Sequence, residues 1–372
     1  MDKAISGIFL VNLGVKKNER VLVFTDLIRD NENLPAEEKQ RRSALPEIAK
    51  AVATIGGNYC ITDFIEYPAG NGHGTEPPQG LWKAAFGKKT FSELKKSGLL
   101  DKLITKTAWP EDIKAAEKLI SDCFENTYDA VIALSNFSTS HTRFRDMLTR
   151  VRGARYASMP LFDTAMFSGA MTADWSKVKE RTENLLKMFE GANEVYITSH
   201  NGTSISFSVK GRQLMPDTGI LTGRGKFGNL PAGEAFLAPI EGTAEGTLIL
   251  EWSPTGKLDG PIELKVKDGL VKEVIGIGAL ADELREKIRA NELFGNIAEL
   301  GVGTNDKAKR PDNILETEKI LGTVHIALGD NSSFGGKISV PFHEDYIFFK
   351  PNLEVIKNNG KVELLIDGEP QF

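Results

Sequence analysis

The chain has 372 residues, 41% hydrophobic and 26% charged, with a formal net charge of -5 at pH 7. Single cores stop growing near about 250 to 300 residues, so the length implies two domains, and the lack of a basic surplus argues against nucleic acid as a partner. The opening stretch MDKAISGIFLVNLGVKKNERV has only a short apolar run with charges soon after it, which is no signal peptide, and no stretch reaches the ~20 apolar residues that span a bilayer, so no membrane association is expected.

In the first half, compact apolar runs alternate with helical patterns. VLVFTD (Val21 to Asp26), NYCITDFIEY (Asn58 to Tyr67), YDAVIALS (Tyr128 to Ser135) and RYASMPL (Arg155 to Leu161) are short and rich in aromatic or β-branched residues, as buried strands are. Between them lie ALPEIAKAVATIGG, closed by Gly56 and Gly57, and a helical run from Ile113 to Phe124. The alternation predicts a mostly parallel α/β domain over residues 1–183. No G-x-G-x-x-G follows the first strand, which leaves the dinucleotide reading little support. The segment Tyr67 to Gly87 reads as a Gly/Pro-rich loop with His73 solvated inside it. Cys60 and Cys123 read as core thiols in a reducing cytoplasm, which makes the sequons at Asn136 and Asn201 chance matches.

The helix DWSKVKERTENLLKMFEGA carries the predicted boundary, and beyond it the periodicity changes to two. EVYITSHNGTSISFSVKGR predicts a hairpin turning at Asn201-Gly202, with His200 structural beside the turn. GTLILEW, PIELKVKDGLVKEVIG with its Asp268-Gly269 turn, and LEVIKNNGKVELLI with Asn359-Gly360 continue the pattern, interrupted by the helix ALADELREKIRAN. Residues 184–372 are therefore expected to form a mainly antiparallel β domain with a helical insertion, and this domain is expected to carry a metal site.

The chain holds five histidines, two of them in the C-terminal window HIALGDN…PFHEDYIF. In the latter, the strand period puts His343 and Asp345 on one face and turns Glu344 and Tyr346 the other way. An imidazole and a carboxylate converging from one face suit a divalent cation. His325 follows the strand-like ILGTV, and Gly335-Gly336 supplies a turn able to bring the two segments together. Glu234, in the loop NLPAGEAFLAP, and Glu299, in the apolar NIAELGVGTN, are carboxylates that need a compensating cation if buried. Two histidines, two glutamates and one aspartate make a ligand inventory for two divalent ions, zinc, cobalt or manganese, with iron also compatible. GRGKFGNLPAGE lacks phosphate-loop spacing and reads as a loop that positions Glu234.

These motifs resemble a family. NLPAGEAFLAP with EGTAEGTL, IAELGVGTN, the Glu318-Lys319 pair before GTVHIALG, and the H-x-D strand occur in the order seen in the aminopeptidase T and aminopeptidase S metallopeptidases; NERVLVFTD, YDAVIALS and ARYASMPLFDTAMFSGAMTADW are similar upstream. The resemblance implies a cytoplasmic homodimer that removes N-terminal residues from peptides, with Glu234, Glu299, His325, His343 and Asp345 as ligands of two metal ions. Two departures stand out. The family's tyrosine seven residues after the histidine of HIALG is Ser332 here, and DNSSFGGKISVPFHED looks more like the related iron-dependent dihydroxypyridine dioxygenases. Glu318, seven residues before His325, is the candidate general base for hydrolysis. A mononuclear Fe(II) ring-cleaving dioxygenase built on His325, His343 and Asp345 is the alternative, and a metal-binding homologue without peptidase activity is a third.

Overall fold

The apolar runs at the start of the chain do form a parallel sheet. The computed structural model describes residues 1–123, 128–254 and 256–372. Its five parallel strands lie in the order Ile61–Pro68, Arg20–Leu27, Ala130–Ala133, Arg155–Ser158, Phe227–Asn229. Residues 21–26 are buried without interruption, as a strand covered on both faces requires. Around it pack the rings of Phe24, Trp82, Phe86, Phe144 and Tyr156, several of them edge to face.

Some local expectations are corrected. The loop assigned to Tyr67–Gly87 ends early, because Gln79–Phe86 is a helix entered through Pro78, a residue whose fixed φ suits a helix start. Two more helices follow, Lys88–Lys96 and Leu99–Ile104, set off by Gly87 (φ 84°) and Gly98 (φ 70°). The helix ending in Gly56 begins at Ala36, well before Ala44. The helix placed over Ile113–Phe124 spans Pro110–Asp122, and Phe124 lies outside the described residues. Cys60 is buried, which pushes its thiol up to about 11, whereas Cys123 is only half-buried and is not a core thiol.

The chain divides into two compact units: Met1–Thr172 with Gly219–Leu230, and Ala173–Thr218 with Pro231–Phe372. The helix Trp175–Phe189 thus belongs to the second unit, while the strand Phe227–Asn229 belongs to the first.

The second unit contains two antiparallel sheets. The larger has eight strands in the order Leu270–Ile275, Gly256–Lys267, Glu245–Ser253, Ser204–Ser208, Ala192–Thr198, Asn352–Lys357, Gly360–Ile366, Glu369–Pro370. Its Asp268-Gly269 turn uses positive φ at both residues (51° and 76°), the twist a tight hairpin needs. The smaller has five, in the order His343–Phe348, Val324–Gly329, Ile297–Gly303, Glu234–Leu237, Met215–Asp217. Leu237, Leu300, Val302, Ile326, Leu328 and Phe348 from the smaller sheet share one apolar core with Val195, Ile197, Leu248, Leu264, Leu353 and Leu365 from the larger. That core takes one face of the smaller sheet and leaves the other for chemistry. Among the described residues, no helix is long and apolar enough to cross a membrane.

Candidate metal centre

The free face of the five-stranded sheet is built by register. Directly paired residues on antiparallel strands point to the same side. His343 pairs with Gly329, Asp345 with Ala327, Ala327 with Glu299, His325 with Gly301, and Glu234 with Gly303. Each of these five polar side chains therefore has a glycine or alanine beside it on a neighbouring strand, and this row of small residues makes room for five donors, while Asp217 on the edge strand pairs with Glu234. A Cβ on Gly301 would fall 1.9 Å from His325 Nε2. Gly301→Ala is accordingly expected to displace His325, cost about 1 to 3 kcal/mol of stability and weaken metal binding; calorimetric unfolding and a metal titration check it, and an unaltered titration would mean that His325 is not a ligand.

The sheet brings together all five residues expected as ligands. His325 Nε2 lies 3.5 Å from Glu234 Oε2 and 3.5 Å from Glu299 Oε1. His343 Nε2 lies 3.4 Å from Glu299 Oε2 and 3.6 Å from Asp345 Oδ2. Glu299 thus turns one oxygen to each histidine. Glu299, His343 and Asp345 bring three donor atoms within 4.8 Å of one another. Glu234 is the first residue of its strand rather than part of the loop before it, and the helix Ala279–Ala290 carries none of the five.

These separations exceed a normal hydrogen bond of about 2.7 to 3.2 Å. They match two donors that each sit ~2.1 Å from one tetrahedral cation, which lie about 3.4 Å apart. Glu234 Oε2, Asp345 Oδ1 and both nitrogens of His325 are buried without a hydrogen-bond partner among the described residues, a costly arrangement that a cation relieves. The donor chemistry and the orphaned atoms both fit a divalent metal. His343 Nδ1 lies 2.7 Å from the Asp330 carbonyl, so it donates that proton and leaves Nε2 free as a donor atom toward Glu299 and Asp345.

Burial works against charge throughout this face, and the opposite charges prevail. Burial lowers the pKa of His325, but contact with Glu299 and the charges of Glu234 and Asp345 push it up to about 9. His343 is raised well above the ordinary imidazole value against its burial, chiefly by the charge of Asp345. Asp345 and Glu299 are held below the usual carboxylate range by the two imidazoles despite their burial. Glu318 differs: burial raises its pKa, and Asp345 and Glu234 add to the effect against Lys319, leaving it at about 8. It accepts from Lys319 Nζ at 2.9 Å. The residue that sequence reasoning missed is Lys319, fully buried, whose ammonium also donates to Glu234 Oε1 at 2.5 Å. A lysine beside Glu318 reads as a surface pair, and no local pattern announces a partner 85 residues away. Ser332, where the resemblance leads one to expect a tyrosine, is exposed and binds the Asp330 carboxylate at 3.0 Å.

The model of a protein family, NicX, described as 2,5-dihydroxypyridine 5,6-dioxygenase, matches residues 169–355, half of the chain, including every residue of this face named above. The chain belongs to the NicX family. Among solved structures, 2,5-dihydroxypyridine dioxygenase from Pseudomonas putida KT2440 is 17% identical, with 99% of this chain and 96% of that one aligned and a TM-score of 0.67. Wild-type AmpT from Thermus thermophilus is 15% identical over 100% and 98% of the two chains, with a TM-score of 0.56. At such identities the likeness is one of fold, and it extends to both architectures that the sequence resembles. Comparison with curated proteins gave no match. Family membership thus falls on the dioxygenase branch rather than on the peptidases whose motif order is the first resemblance.

Proposed function

We propose that this member of the NicX family is a metal-dependent hydrolase that removes N-terminal residues from peptides. The observation that carries the reading is Glu299, whose two oxygens face different histidines and divide five donors into two half-sites, Glu299–His343–Asp345 and Glu234–His325–Glu299. Such a carboxylate-rich set suits zinc, cobalt or manganese. A divalent cation held there supplies Lewis acidity toward a carbonyl oxygen and lowers the pKa of water. The chain supplies the rest. Glu318, its pKa near 8, takes the proton of the attacking water and passes it to the leaving amine. Lys319 holds Glu318 and Glu234 in place, and Asp330 fixes the tautomer of His343. The order of motifs shared with the aminopeptidase T and S enzymes is what favours a peptide as substrate.

A second reading has its own support. The family match, with His325, His343 and Asp345 as a two-histidine, one-carboxylate set, favours a ring-cleaving Fe(II) dioxygenase. Glu299 and a proton carrier at Glu318 are additions for which that chemistry has less use. Elemental analysis of the purified protein, a panel of aminoacyl anilides, and oxygen uptake on 2,5-dihydroxypyridine separate the two. Anilide hydrolysis by a zinc-, cobalt- or manganese-loaded protein is the expected result; an iron-loaded protein that consumes oxygen on the dihydroxypyridine and leaves anilides intact would replace the first reading with the second.

A further inference from the structure

The centre contains a cation of its own. Lys319 is wholly buried, and its backbone is tied at both ends: its N–H donates to Glu316 and its carbonyl accepts from Asn305. Its ammonium occupies Glu234 Oε1 at 2.5 Å, so Glu234 turns only Oε2 toward His325. The ion pairs of Glu299 and Asp345 among the described residues are with histidines alone. Of the carboxylates that face the imidazoles, Glu234, Glu299 and Asp345, only Glu234 is paired with the ammonium of Lys319, which it shares with Glu318 at 2.9 Å. We infer that Lys319 makes the two half-sites unequal: Glu299–His343–Asp345 takes one divalent cation tightly, and Glu234–His325, its charge already matched by a fixed ammonium, takes a second one weakly. The inference rests on the metal-binding part of the proposed function and not on peptide hydrolysis.

Titration of the metal-stripped full chain with Co²⁺, followed by calorimetry and by the visible absorption of bound cobalt, tests it. One equivalent is expected to bind at least about tenfold more tightly than the second. Lys319→Met frees Glu234 and is expected to tighten the second event by about tenfold or more while the first stays within about threefold; Lys319→Arg keeps the inequality. Glu234→Gln is expected to abolish the second event alone, a result that does not depend on the lysine variants folding. Two equal sites in the wild type, a second event unmoved in Lys319→Met, or a first event weakened in Glu234→Gln would each overturn the inference. Unequal loading without anilide hydrolysis would uphold it and retire the peptidase reading, whereas no cobalt uptake would remove both.

Discussion

The His343→Ala variant is expected to lose its metal and at least about 10³-fold in activity, since a divalent cation contributes several kcal/mol of transition-state stabilisation and each ~1.4 kcal/mol is a factor of ten. The fold should survive. His343 opens its strand, its side chain is 32% exposed, and its contacts are Glu299, Asp345, the Asp330 carbonyl and the edge of Phe334, none of them in the apolar core. Alanine therefore opens no buried cavity. Elemental analysis with a cooperative unfolding transition checks both halves of the expectation. Full metal occupancy in a folded variant would show that the H-x-D histidine is not a ligand.

Glu318→Gln is expected to do the opposite with the metal: retain it, and still lose about 10²- to 10⁴-fold in kcat, the usual worth of a positioned acid or base. Glutamine keeps the shape and still accepts from Lys319, so the loss isolates proton transfer. The pH profile supplies a second readout. A raised carboxyl pKa means that the base form appears only as pH climbs, so the wild-type rate should rise with pH. Its midpoint should lie below the value of about 8 set by burial and the neighbouring carboxylates, because a bound cation stabilises the ionised form. The glutamine variant should lack that limb. A variant with unchanged kcat would return Glu318 to a structural role beside Lys319.

Much of this fold and of its metal centre is legible in the sequence. Buried parallel strands announce themselves as unbroken apolar runs, the Asn-Gly and Asp-Gly pairs mark hairpins, and a period of two is enough to align His343 with Asp345. What escapes a linear reading depends on contacts distant in the chain. Gly301, Gly303, Ala327 and Gly329 read as ordinary small residues until the register shows that each faces a donor. Lys319 reads as a surface charge until the fold delivers Glu234 to it. The run Pro77-Pro78 looks like loop to its last residue, yet proline also opens helices, and so Gln79–Phe86 hides in what reads as a loop. The three-residue strand Phe227–Asn229 has no apolar pattern at all; only its neighbour Arg155–Ser158 defines it.

That short strand also limits how the chain can be cut. The polypeptide passes from one unit to the other at Thr172, returns at Gly219 to add Phe227–Asn229 to the parallel sheet, and leaves again after Leu230, four residues before Glu234. A fragment ending at Thr172 would lack the fifth strand and turn Arg155–Ser158 into a bare edge, open to pairing with another copy. Expression of isolated halves is thus a poor route to either unit. A linker grafted in place of residues 219–230 would unbuild one sheet while altering the approach to a ligand of the other.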